Sequence, residues 1–467
     1  MENTAIFTNI RSLLGALAQG MNLINTDLED HHERTAYLAF HIAREMGLPD
    51  DMVYLCGYAA LLHDVGSILS EKPQDVAEIE RHARRMAGVG AMMLRGLPDF
   101  HRVADIIQNC QCSWLAVQHC GNLLPEAQQR LLPCAGVVYL ADRISAALNA
   151  RTPVLTQARR VRKIVASCRG TLFCPDASDA FLRISGREYL WLDALFNPQF
   201  LGYFTGEIQG ISLERTAVLT RLMSRIIDFR SRFTAMHSAG VAASAKALAE
   251  LAGMSRDECL MMEIAGNLHD AGKLKVPRGI LEKPAPLDEG EFDVMREHPY
   301  YTRLILMHVQ GFERIQNWAG FHHEKLNGSG YPFHLAAEDL DTGSRIMAIA
   351  DIFSAITEDR PYRAGMPREK SISVLRQNAA DGALDENLVE LLCTHYDGIN
   401  GVRAAASEDV VQQYNDSFRE EYPPALPRAV EAALKQAREA AGERAVEAME
   451  TAKMKIKESA EQRAVTL

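Results

Sequence analysis

The sequence predicts an all-α protein built from two copies of one helical domain with a helical tail behind them. Apolar residues recur at helical spacing, beginning with Ile10, Leu13, Leu14, Leu17, Met21, Leu23 and Ile24. A His-Asp pair closes an apolar helix twice, at His63-Asp64 and at His269-Asp270. Both pairs belong to a longer repeat. His31 to His63 and His237 to His269 each span 32 residues, and Gly47-Leu48 meets Gly253-Met254 at the same shift of 206. Phe100-His101-Arg102-Val103 is echoed by Phe312-Glu313-Arg314-Ile315, and the stretch from Tyr139 to Ala146 by that from Ala348 to Ala355.

In chain order, the first helix covers residues 10–24. Asp30-His31-His32-Glu33-Arg34 opens a second, whose apolar positions run through Leu38, Ile42 and Met46 to Gly47, a glycine suited to the left-handed position after a helix. A third passes Val53, Leu55, Tyr58, Leu61 and Leu62 into His63-Asp64-Val65-Gly66. Imidazole and carboxylate together suit a divalent transition ion, and adjacent residues can both address it where a helix stops. Residues 151–236 join the copies. The run Arg159-Arg160-Val161-Arg162-Lys163 reads as a solvated helix face. The aromatic stretch from Phe173 to Phe204, with Trp191, Phe196, Phe200 and Tyr203, reads as packing between domains. Ser212 is an N-cap for one long helix from Leu213 to Phe233. The expected domains are 1–150, a connector over 151–210, 211–400, and a tail over 401–467.

The most informative stretch is His322-His323-Glu324-Lys325-Leu326-Asn327-Gly328-Ser329-Gly330-Tyr331-Pro332. Neighbouring helical residues point about 100° apart. Two adjacent imidazoles therefore both reach metal where a helix ends and the site holds more than one ion. Gly-Ser-Gly-Tyr-Pro supplies that stop, since glycine permits positive φ and proline cannot continue a helix.

Together with His269-Asp270-Ala271-Gly272-Lys273 upstream, these motifs resemble the HD-GYP family of metal-dependent phosphodiesterases. The likeness covers residues 215–395 in full and 10–200 as a degenerate copy. It implies tandem HD-type helical domains, the second an HD-GYP domain. It implies metal ligands at His237, His269, Asp270, His298, His322, His323 and Asp351, with Asp270 bridging two ions. Asp270 and Lys273 would be catalytic, Lys273 facing the substrate phosphate. In the family, basic residues beyond the last aspartate contact the dinucleotide; here these are Arg360 and Arg363. A third ion in some members needs a glutamate where this chain has Phe233, so two ions are expected. Asn327 stands where many relatives have aspartate. Mixed His/Asp coordination suits iron or manganese, with zinc, nickel or cobalt also admissible, better than magnesium or calcium. The implied substrate is a bacterial cyclic dinucleotide, cyclic di-GMP first, opened to the linear dinucleotide or GMP. Other readings are a different HD-type nucleotide phosphohydrolase, cyclic GMP-AMP hydrolase included, a non-catalytic cyclic-dinucleotide receptor, and a metal-free signalling scaffold. A substrate panel and metal analysis separate them.

The first copy keeps His31, His63, Asp64 and Asp142, the four-ligand set of simpler HD domains, and His82 is the expected counterpart of His298. It has Cys110-Gln111 where the second copy has His322-His323, Ser67 in place of Lys273, and no Gly-Tyr-Pro loop. One ion or none are both open from the sequence, and the copy is expected not to hydrolyse cyclic dinucleotides. Cys110, Cys112, His119 and Cys120 match no common zinc spacing and read as incidental.

Composition narrows the rest. A net charge of -11 argues against a DNA or RNA polymer as partner. No run reaches the roughly 18 to 20 apolar residues a membrane span needs. Nine scattered cysteines fit reduced thiols in a cytoplasm. Residues 428–460, rich in Ala, Glu, Lys and Arg, read as a solvated helix. That helix and the Gly-Tyr-Pro loop are the expected surfaces for a homodimer or a signalling partner.

Overall fold

The computed structural model describes residues 7–24, 30–69, 76–96, 98–198, 210–228, 232–283, 285–359 and 364–419. Arg360, Arg363 and the 428–460 segment lie outside them, as do the side chains of Phe233, His119 and Cys120. The described regular structure is helical apart from one short antiparallel pair, Thr8–Asn9 with Gly210–Ile211. No helix among the described residues is long and apolar enough to cross a membrane. By packing, the chain divides into two compact units.

In the unit formed by residues 30–198, helix His31–Glu45 packs on Asp50–Leu62 and on Leu132–Ala146. Gly47 ends the first of these at φ 74°, the left-handed value that favours glycine. Of the aromatic stretch, Phe173, Phe181 and Trp191 belong to this unit's own core and Phe196 is exposed, while Phe200, Tyr203 and Phe204 lie outside the described residues. Trp191 and Phe181 are both buried, meet edge to face at 5.6 Å, and the Trp191 indole donates to the Ser185 carbonyl at 2.9 Å.

The other unit takes residues 210–419 and also residues 7–24. Helix Ile10–Ile24 was expected in the first domain. It packs instead on the short 3-10 helix Ala271–Lys275 and on helix His298–Leu306, with Leu13, Leu14, Leu17 and Met21 buried. The expected helix from Leu213 to Phe233 resolves into Leu213–Asp228 and a new helix, Arg232–Leu251. The Ser212 hydroxyl accepts from the Arg215 amide at 3.3 Å, as an N-cap does. Arg232–Leu251 is the central element, packed on Arg256–Leu268, Thr342–Thr357 and Tyr396–Arg419. The last helix crosses the expected boundary at 400, and its Ser407 hydroxyl donates to the Met236 carbonyl at 3.0 Å.

One pair of glycines shows how the two units correspond. A Cβ at Gly272 would lie 1.9 Å from the His298 carbonyl oxygen and 2.6 Å from the Thr302 amide nitrogen. A Cβ at Gly66 would lie 2.0 Å from the Met86 carbonyl oxygen and 2.7 Å from the Gly90 amide nitrogen. Both turns after His-Asp thus need glycine so that a helix can approach the backbone closely. The match pairs Met86, not His82, with His298. His82 lies one helical turn earlier on the same helix, Val76–Arg95.

Candidate metal centre

Helix ends deliver most of the candidate ligands. Helix Arg256–Leu268 starts on a capping box between Ser255 and Glu258 and ends at His269 and Asp270. His298 opens helix His298–Leu306, and His322 and His323 follow helix Glu313–Gly320. His237 and Asp351 come from the interiors of Arg232–Leu251 and Thr342–Thr357. These seven residues form overlapping clusters: His237, His269 and Asp351; His298, His322 and His323; and His269, Asp270 and His322 between them.

Three rings are fixed by their own helices. Nδ1 of His269 donates to the Gly266 carbonyl at 2.8 Å, that of His298 to Met295 at 2.7 Å, and that of His322 to Ala319 at 2.6 Å. With Nδ1 so committed, each ring in its neutral form presents an Nε2 lone pair inward. His298 Nε2 and His322 Nε2 stand 3.1 Å apart, and His298 Nε2 lies 3.3 Å from Asp270 Oδ1. Two facing lone pairs repel unless a cation lies between them. His269 Nε2 and Asp270 Oδ1 are buried with no hydrogen-bond partner. The donor set therefore fits divalent transition ions, with Asp270 reaching toward both clusters.

Electrostatics prepares the same state. Burial pulls His298 down to about 3 and His322 to about 4, and His323 also falls well below the usual imidazole value. Burial opposes ionisation of Asp270, but His269 and Lys273 outweigh it and hold the carboxyl well below its ordinary range. At neutral pH these imidazoles are neutral and this carboxylate is charged, the forms a metal binds.

His237 is held differently. Its Nε2 lies 3.0 Å from Asp351 Oδ1 and its Nδ1 3.3 Å from Glu358 Oε2. Burial works against its charge, yet Asp351 and Glu358 together raise it to about 9. Glu358, 5% exposed, was not singled out from the sequence. Its position seven residues after Asp351, two turns on along one helix face, is the signal that could have found it. A carboxylate behind a ligating histidine fixes the ring and its tautomer.

The substrate side is partly open. Lys273 Nζ pairs with Asp270 Oδ2 and is 20% exposed. The Tyr331 ring lies 4.8 Å from that of His323, and the Arg296 guanidinium sits 5.1 Å over Tyr331. A groove of about 360 Å³ continues from there, lined by Arg296, Tyr300, Tyr301, Tyr331 and His334 among others. The Gly-Tyr-Pro loop is anchored by Glu324, another residue missed in sequence. Its buried carboxylate accepts from the Phe333 amide at 2.7 Å and the Leu335 amide at 2.9 Å. Asn327 closes the turn, accepting from the Ser329 amide at 3.1 Å and donating to the Asp381 carbonyl at 3.1 Å.

The first unit assembles its own four residues. His31 Nε2 lies 3.3 Å from Asp142 Oδ1, and His63 Nε2 lies 3.5 Å from Asp142 Oδ1 and 3.4 Å from Asp64 Oδ2. His63 Nδ1 donates to the Ala60 carbonyl at 2.7 Å, and its Nε2 is buried with no hydrogen-bond partner. Cys110 and Cys112 are both buried.

Comparison with known proteins agrees with this duplication. The HD domain family is matched twice, over residues 28–147 and over residues 221–388. The chain is 28% identical over 407 residues to 3'3'-cGAMP-specific phosphodiesterase 1 of Vibrio cholerae, covering 82% of this chain and 91% of that protein. It is 38% identical over 141 residues to a cyclic di-GMP phosphodiesterase of Pseudomonas aeruginosa, covering 30% of this chain and 34% of that protein. The crystal structure of a cyclic GMP-AMP-specific phosphodiesterase of V. cholerae shares the fold, with a TM-score of 0.59 at 20% identity, over 84% of this chain and 98% of that one. With two family matches, each enclosing its own His/Asp cluster, the chain is a tandem HD-domain protein.

Proposed function

We propose that the second HD domain is a metal-dependent phosphodiesterase that opens a cyclic dinucleotide, with 3'3'-cyclic GMP-AMP preferred over cyclic di-GMP. The observation that carries the reaction class is the pair of ligand clusters meeting at Asp270 beside Lys273. Two ions, iron or manganese, are the reading that donor set favours. When bound, such a pair supplies Lewis acidity, lowering the pKa of water towards neutrality and offsetting charge on phosphate. The chain's own residues do the rest. Lys273 turns from Asp270 to a non-bridging phosphate oxygen and holds it as charge develops. Tyr331 and Arg296 offer an aromatic face and a guanidinium at the mouth of the site. Arg360 and Arg363 are assigned to the second phosphate or a base, for which a guanidinium fork is suited. Water adds to phosphorus, the bond to the 3′ oxygen breaks, and that oxygen takes up the proton. The product is a linear dinucleotide.

The sequence motifs alone put cyclic di-GMP first. The substrate preference is revised because the relative aligned over 91% of its length is named for 3'3'-cGAMP, whereas the cyclic di-GMP enzyme aligns over 34% of its own. The test is anaerobic purification of the full chain, loading with iron or manganese, and chromatographic assay on both dinucleotides. We expect kcat/KM at least tenfold higher for 3'3'-cyclic GMP-AMP. Equal or faster turnover of cyclic di-GMP would overturn the preference. Inertness towards both, with two ions bound, would favour a receptor.

A further inference from the structure

The first HD domain keeps His31, His63, Asp64 and Asp142, the four-ligand set of simpler HD domains, and we propose that the Arg143 guanidinium takes the place of a second ion there, so that this site holds one divalent transition ion. The two sites can be compared atom by atom. In the second, Asp351 Oδ1 faces His237 at 3.0 Å and His269 at 3.9 Å, while its Oδ2 faces His323 Nδ1 at 3.5 Å. In the first, Asp142 Oδ1 faces His31 and His63 at 3.3 and 3.5 Å. Its Oδ2 is met by other groups. It accepts from Arg143 at 2.8 Å and from Gln111 Nε2 at 3.3 Å, and Arg143 also donates to Gln111 Oε1 at 2.8 Å. Gln111 is the counterpart of His323, and Arg143 follows Asp142 where Ile352 follows Asp351.

Every imidazole of the second-ion cluster has been exchanged. Met86 stands for His298, Cys110 for His322 and Gln111 for His323, by the glycine contacts and the repeat spacing. A thioether, a buried thiol and an amide make a weak set for a hard or borderline dication. The carboxylate that would have faced that ion still needs compensating charge. Arg143 supplies it as a permanent cation, planar and able to bond Asp142 and Gln111 together. The first-ion half is intact. His63 Nε2 is buried, without a hydrogen-bond partner, and aimed between Asp64 and Asp142.

The test counts metal, so it stands whether or not the second domain hydrolyses any dinucleotide. The full chain is stripped and reloaded with Mn(II), and bound metal is measured against His63→Ala/Asp142→Asn. The double variant should bind one ion fewer per chain than wild type. A difference of none or of two overturns the proposal. Arg143→Ile removes a positive charge beside the ion, so this site should bind Mn(II) about tenfold tighter or admit an additional ion. Unchanged affinity, or loss of the ion from a folded chain, would show Arg143 to be only a brace for Asp142 and would overturn its assignment. Arg143→Lys keeps the charge and should stay within about threefold of wild type; a tenfold change there would equally count against it.

Discussion

At the scale of single residues, the second site depends on charge neutralised in the right places. Asp270 is 2% exposed, contacts both ligand clusters and pairs with Lys273. Its replacement by alanine would leave the two proposed ions without a shared anion. Asp270→Ala should abolish hydrolysis and lower bound metal while far-UV circular dichroism stays helical; near-normal turnover would refute the bridging role. Glu358 tests the layer behind the ligands. Glu358→Gln keeps the shape but removes the carboxylate that fixes His237, and should weaken metal binding by roughly 10–100-fold. Metal-buffer titration reads this directly, and unchanged affinity would reduce Glu358 to packing.

At the scale of elements, the Gly-Tyr-Pro loop is held from beneath by one acid. Glu324 is 1% exposed and accepts two backbone amides, so the loop's shape is set by a buried charge rather than by its glycines alone. Glu324→Ala strands both donors, at a cost of about 1–3 kcal/mol for each group left unsatisfied. The expected result is faster hydrogen exchange at Phe333 and Leu335 and a raised KM, because Tyr331 loses its place against His323. Native protection at those amides would contradict the assignment. The same loop shows why sequence spacing misses such anchors: an acid beside a glycine-rich turn is ordinary, and nothing local marks this one as buried.

At the scale of the whole molecule, the N-terminal helix belongs to the unit that carries the second site. A fragment beginning at residue 206 loses the partners of Leu274 and Ile305, which lie 2.8 and 3.6 Å from where a Cβ on Gly20 would stand. Each buried leucine or methionine of Ile10–Ile24 contributes about 1.5–3 kcal/mol as an upper bound. Residues 206–467 alone should therefore melt several degrees lower than with a peptide of residues 7–24 added. A fragment indifferent to that peptide would show the docking to be energetically idle.

The sequence by itself determined the helical class, the duplication and the His and Asp residues that each copy gathers into a cluster. Those are local properties: a period, a His-Asp pair at a helix end, a glycine-proline stop after two histidines. Tertiary structure decided what packs on what. Apolar spacing marked the buried face of Ile10–Ile24 but could not name the surface that covers it. His82 and Met86 are four residues apart on one helix face, so periodicity cannot choose between them; the close approach of Gly66 to the Met86 carbonyl does. Arg143 and Glu358 are unremarkable in sequence and acquire meaning through Asp142 and His237, residues that only folding brings into register. Ligand identity is written in residue types, whereas the charge around each ligand is set by neighbours distant in the chain.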